Sequence, residues 1–156
     1  MRPLVAGFLV GLLGLAAVEA RKPKATLRAH LEGNVNDGEV FSTKMRSAVT
    51  RKEIVIEKVP TISERDVVAF RPYPAADGTF GVLFQLNDHG KLALDTLSID
   101  RRGRFLYIFV NGRPAGELQI DRRVSDGQLY LASGLTQADL ALMQKAWPLI
   151  GGKKRR

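Results

Sequence analysis

The chain contains no cysteine. Disulfide staples, thiol nucleophiles, thiolate metal sites and a lipid-modified Cys are thereby excluded, and the fold rests on its core alone. Histidine is almost as scarce: His30 and His89 are the 2 copies. Neither has an i, i+4 partner, so no metal site is read from them. There is no Gly-x-Ser-x-Gly elbow and no Gly-rich phosphate loop after a strand. Asp37-Gly38, Asp77-Gly78 and Asp126-Gly127 lack the alternating acids of a calcium loop. Asp88 and His89 are adjacent and so diverge, and helix capping accounts better for Asp88. These absences leave no catalytic residue, no metal and no cofactor, and the chain reads as a non-enzyme.

Long hydrophobic runs are missing too, with one exception. Leu4 to Val18 is uncharged and comes just after Arg2. At about 15 residues it is shorter than the roughly 20 that a spanning helix needs. Val18-Glu19-Ala20 then offers small residues at the positions a signal peptidase inspects. Residues 1–20 therefore read as a signal peptide cleaved after Ala20, with an uncleaved anchor as the alternative, and the product as periplasmic or secreted. The mature chain then divides into a flexible basic lead (21–24), one domain (25–150) and a basic tail (151–156). A hydrophobic content of 45% suffices for one compact domain at this length.

Acidic residues are outnumbered, 16 against 24 Lys and Arg, for a net charge of +8 and a pI near 10.1. Such a balance suits an anionic partner: lipid headgroups, envelope polysaccharide or, least in keeping with an export signal, nucleic acid. A solvated basic surface needs no ligand at all. The basic clusters are Arg46/Arg51/Lys52, Arg101/Arg102/Arg104, Arg122/Arg123 and the tail.

The pattern that is present is mostly that of strands. Phe105 to Val110 is a run of aromatic, β-branched and Leu residues suited to burial on both faces. Asn111-Gly112 fits the two positive-φ positions of a type I′ turn, and Leu118 and Ile120 return with polar residues interleaved. Pro114 lacks an N–H, so that arm starts at an edge or outside the ladder. Ala25–Leu31, Glu39–Met45, Lys52–Lys58, Val67–Phe70, Val82–Leu86 and Gln128–Ala132 read as further strands. Arg71 to Gly81 reads as an irregular hairpin tip with Tyr73 between two prolines. Ser63-x-x-Asp66 and Thr136-x-x-Asp139 are capping boxes with apolar staples, the second opening a helix with Leu140, Met143 and Trp147 on one stripe. A shorter helix over 89–98, capped by Asn87 or Asp88, is expected to turn Leu92, Ala93, Thr96 and Leu97 toward the sheet. The sum is an α+β domain, a mostly antiparallel sheet with two main helices on one face.

Several of these segments, in this order, resemble the head of the large periplasmic domain of SecD, a subunit of the Sec protein-export machine. They are Ser63–Val67, Val82–Asn87, Gly90–Thr96, the Gly103–Arg113 hairpin arm, and Asp126-Gly127 with the strand, Leu135-Thr136 and helix after it. The resemblance spans about residues 63–150. It implies a head-like fold and contact with polypeptide or an envelope protein, without the membrane portion that couples proton flow to protein movement. Read from the residues, the candidate interaction surface comprises Tyr73, either exposed for contact or folded back onto the sheet, and Arg101, Arg102, Arg104, Arg113, Arg122 and Arg123, either converging on one sheet edge or simply blunting turns and edge strands against aggregation. The alternative is a basic adaptor for lipid headgroups or polysaccharide.

Overall fold

A computed structural model describes residues 24–152. The leader, the cleavage point at Ala20 and residues 153–156 lie outside the described residues. In chain order the elements are β1 (Leu27–Leu31), the single-turn α1 (Gly38–Phe41), β2 (Ser42–Arg46), β3 (Glu53–Glu57) and β4 (Ile62–Ser63). A 3-10 turn (Glu64–Asp66) leads to β5 (Val67–Pro74), β6 (Phe80–Leu86) and α2 (Asp88–Asp100). β7 (Phe105–Val110), β8 (Arg113–Gln119), β9 (Gln128–Leu135) and α3 (Gln137–Ala146) complete the chain. The strands form three antiparallel groups, ordered β4-β1-β7-β8, β5-β6-β9 and β2-β3. This is the expected α+β class.

β7 is central in its sheet, between β1 and β8. Leu106, Ile108 and Val110 lie opposite Leu31, Ala29 and Leu27 and enter the main core. Tyr107 and Phe109 point the other way, toward Met45, Ala48 and Val49 of the β2-β3 hairpin. His30 Nδ1 lies 2.8 Å from the Glu57 carbonyl; since a carbonyl only accepts, that nitrogen carries the proton. The His30 ring meets Phe109 edge-on. At the far end of the hairpin, Ser47 Oγ donates to Glu117 at 2.7 Å. A strand apolar on both faces thus has a layer on each.

Asn111 and Gly112 adopt φ of 50° and 79°, as a type I′ turn requires. Ile108 faces Gly116 but Phe109 faces Pro114, so Ala115 is the extra residue of a bulge, and Pro114 is accommodated because β8 is an edge of its sheet.

Three expectations are corrected. Glu39–Met45 is not one strand: Gly38, at φ 71°, starts a single helical turn through Phe41 before β2 begins. The strand from Val67 does not stop at Phe70 but runs through Pro72 and Tyr73 to Pro74, pairing with β6 down to Phe80. It tolerates both prolines because it is an edge strand. Among the described residues, its outer side is met at Phe70, by a parallel bridge to Leu149. Phe70 N–H donates to the Pro148 carbonyl at 3.1 Å and its carbonyl accepts from Ile150 at 2.9 Å. Leu92 does not face the sheet; it is 67% exposed, and the buried stripe of α2 is Gly90, Leu94, Leu97 and Ser98. The phase is set at Gly90, where a Cβ would come within 2.8 Å of Asp66. α3 matches expectation: Leu140 and Met143 are buried, and Trp147 packs edge-on against Phe70 and Phe84.

Candidate interaction cleft

The two larger sheets meet at free edges. β8 ends one and β9 ends the other, joined by residues 120–127. At one end they touch: Leu131 fills the space where a Gly116 side chain would be, and a Cβ on Gly134 would lie 2.8 Å from the Ala115 carbonyl. Toward the 120–127 loop they part around a cavity of about 750 Å³, within the roughly 300–1,000 Å³ of typical ligand sites. Leu94, Leu97, Leu106 and Leu129 make its floor; Leu118 and Gln119 line one side, Gln128 and Tyr130 the other.

Ladder alternation fixes what the edges present. Phe105 turns its main chain toward Glu32, whose amide donates to the Phe105 carbonyl at 2.8 Å and whose carboxylate accepts the Phe105 N–H at 3.1 Å. Gln119, opposite Phe105, therefore turns its own main chain away from β7, while the next residue, Ile120, donates to Arg104 at 2.9 Å. On β9, the Gly127 carbonyl accepts from Leu86 at 2.8 Å, so Leu129 and Leu131 face β6 and Gln128 and Tyr130 face away. The outward Gln128 N–H is taken by Asp126 at 3.0 Å. Among the described residues, no main-chain hydrogen bond joins β8 to β9. The cleft is thus flanked by two strand edges with main-chain groups directed into it.

The loop at the rim of its mouth is tied to α2. Arg123 makes a two-pronged contact with Asp95 at 2.6 and 2.9 Å, and Val124 N–H donates to Ser98 Oγ at 2.9 Å. The hydrogen bond and charge of Arg123 hold the Asp95 carboxyl below the usual carboxylate range, and Asp95 in turn raises the Arg123 guanidinium.

Tyr73 is not a free contact residue. Its ring crosses β6 above Gly81, at a site with no room for a side chain, and its hydroxyl donates to the Leu131 carbonyl at 2.6 Å. Burial, then the neighbouring Tyr130, pushes that hydroxyl's pKa up. Tyr130, 53% exposed, stacks on it at 5.3 Å and 8°. Tyr130, at the cleft rim, is the exposed aromatic that the sequence reading missed. The strand alternation Leu129–Tyr130–Leu131 was the available signal.

The expected convergence of arginines is only partial. Arg101, Arg102, Arg104, Arg122 and Arg123 lie together at the open end of the β7-β8 hairpin, where Gly103 donates to the Ile120 carbonyl at 2.7 Å. Arg113 is at the turn end, roughly 20 Å away at about 3.3 Å per strand residue. It is held there by Asp139, the capping acid of α3. That carboxylate is 6% exposed and also accepts from the Thr136 N–H and hydroxyl, both at 2.8 Å, and from Asn111 Nδ2 at 2.9 Å. Nor is the folded body strongly basic: residues 24–152 hold 17 Lys and Arg against 15 Asp and Glu. The remaining excess comes from Arg21, Lys22 and residues 153–156.

The other capping acid has a similar role. Asp66, 5% exposed, accepts from the Ser63 N–H at 2.8 Å and pairs with His89 Nδ1 at 2.7 Å, joining the 3-10 turn to α2. Asp66, not Asp88, is the histidine's partner. Among the described residues, no hydroxyl is hydrogen-bonded to His89. Among the same residues, no group of three or more His, Asp or Glu is placed to hold a metal, and no helix is long and apolar enough to cross a membrane.

No family model and no curated protein matches the chain. Two solved structures of SecDF do. The first, of a membrane component that enhances protein export, superposes with a TM-score of 0.54 at 15% identity over 81% of this chain. The second, SecDF in a super-membrane-facing form, gives 0.54 at 16% identity over 80%. The chain spans 64% of the first and 19% of the second. The fold is therefore SecD-head-like, as the ordered segments implied, and the likeness extends beyond residues 63–150.

Proposed function

We propose that the chain is a non-enzymatic, extracytoplasmic interaction domain that contacts polypeptide through the cleft between β8 and β9. A role related to protein export is consistent with the SecDF likeness. The observation that carries the reading is the pair of strand edges facing each other over an apolar floor. Main-chain groups directed into an apolar cleft suit a partner that brings its own main chain, as in strand addition, with little demand on sequence. Arg122 at the rim, with Arg101, Arg102 and Arg104 at the same end, steers acidic clients toward the mouth. The adaptor reading for lipid or polysaccharide is less favoured, because the charge excess lies in the terminal segments.

The test is photo-crosslinking to a permanently unfolded, carboxymethylated protein. A photoreactive residue at Gln119 or Tyr130 is expected to crosslink, and one at Ile99, exposed on α2, is not. Equal labelling from all three positions, or none from Gln119 and Tyr130, would overturn the proposal.

A further inference from the structure

We infer that the cleft selects extended segments whose apolar residues recur at every second position, the pattern of a half-buried β-strand; this rests on the polypeptide reading above. The occupant is argued from the two walls and the floor together. Gln119 on one wall and Tyr130 on the other direct main-chain groups inward, and only an extended chain can answer them at strand spacing, about 4.8 Å from the neighbouring strand. A helix has its main-chain groups engaged internally and is about 10 Å across, so it satisfies neither edge.

Once the segment is extended, its side chains alternate between two environments. One set points down to Leu94, Leu97, Leu106 and Leu129, all 5% exposed or less. That floor is apolar, and a polar side chain there loses water with nothing in return. The other set points out beside Tyr130, whose ring is fixed by Tyr73, with Gln85 and Gln128 facing each other across β6 and β9 on the same surface. This side is half wet and accepts polar or aromatic groups alike. The asymmetry therefore reads period two and is indifferent to which apolar residue supplies it. Because β8 and β9 touch at Gly116 and Leu131, the segment is short and enters from the end bounded by residues 120–127.

The experiment uses the intact chain and three synthetic peptides of one composition, titrated by NMR or fluorescence anisotropy: an alternating Leu/Thr/Lys peptide, a helix-period version and a scramble. Two N-methylated forms of the alternating peptide carry the methyls on one or the other set of alternate amides. The alternating peptide is expected to bind at least about tenfold more tightly than the helix-period and scrambled ones. Both methylated forms should bind more weakly than the parent, because alternate amides of an extended chain face opposite walls and each form loses those facing one of them. If all three parent peptides bind alike, or either methylated form binds as the parent does, the period-two inference falls and the polypeptide reading stands. If no peptide binds, both fall. Alternating-peptide shifts confined to residues away from Gln119 and Tyr130 overturn the assignment to this cleft.

Discussion

Asp139 gives the sharpest test of how the fold is held. Its buried carboxylate starts α3 and also binds Asn111 and Arg113 of the β7-β8 turn, so replacing it by Ala removes a cap and a tertiary junction together. The capping part is worth about 1 kcal/mol. Hydrogen bonds to a charged group contribute roughly 1.5–3 kcal/mol each, which applies to Asn111; Arg113, 44% exposed, keeps much of its hydration and counts for less. The expected loss for Asp139→Ala is about 3 kcal/mol, which with a urea slope near 2 kcal/mol/M lowers the midpoint by roughly 1.5 M.

The pH dependence has a definite sign. Burial, the largest single influence, opposes ionisation of Asp139. The hydrogen bonds from Thr136 and Asn111 and the charge of Arg113 outweigh it and hold the pKa below the usual carboxylate value. A depressed pKa contributes stability above the unfolded value of about 3.9, and that stability is lost as pH falls through the folded value. The gap between wild type and Asp139→Asn should therefore be widest at neutral pH and narrow steadily below about pH 4. Urea titrations of both proteins at several pH values check this. A gap at neutral pH under about 0.5 kcal/mol, or one unchanged on acidification, would refute the reasoning.

Tyr73→Phe deletes the bond to the Leu131 carbonyl and should cost about 1 kcal/mol in chemical denaturation. Gly81→Ala, which places a side chain in the path of the same ring, should cost more. Gly112→Ala forces a side chain to φ 79° and should destabilise by about 1 kcal/mol in the same assay. Arg123→Ala frees the loop from Asp95; amide exchange at Val124 should accelerate while the global midpoint hardly moves.

The parts of this fold legible in the sequence are those written in local chemistry. Asn111-Gly112 dictates a hairpin because two consecutive positive-φ positions have few other uses. The two capping boxes announce helical starts because the residues that bond lie three apart. The tertiary use of the same acids was not legible: nothing beside Asp139 in the chain indicates Arg113, and nothing beside Asp66 indicates His89. Leu92 was misassigned since a helix stripe read from apolar residues alone ignores Gly90, whose lack of a side chain sets the phase. Arg113 shows the opposite case. The hairpin register already placed it six ladder positions from Arg104, but its charge invited grouping with the other arginines. The cleft itself was hidden. It depends on β8 and β9 being ends of different sheets, a fact of strand order that no window of residues contains.

The placement of the unused strand edges bears on solubility. A surface that welcomes strands is also one on which identical molecules can stack into fibres. Here β5, the outer edge of the sheet that β9 ends, carries Pro72 and Pro74 and is strapped at Phe70 by Pro148 and Ile150, so a neighbouring copy finds little to extend there. The receptive groups of Gln119 and Tyr130 sit instead in a recess between the two sheets, set back from the rim that a second folded body would meet first. Recognition and self-avoidance are in this way separated by shape rather than by charge.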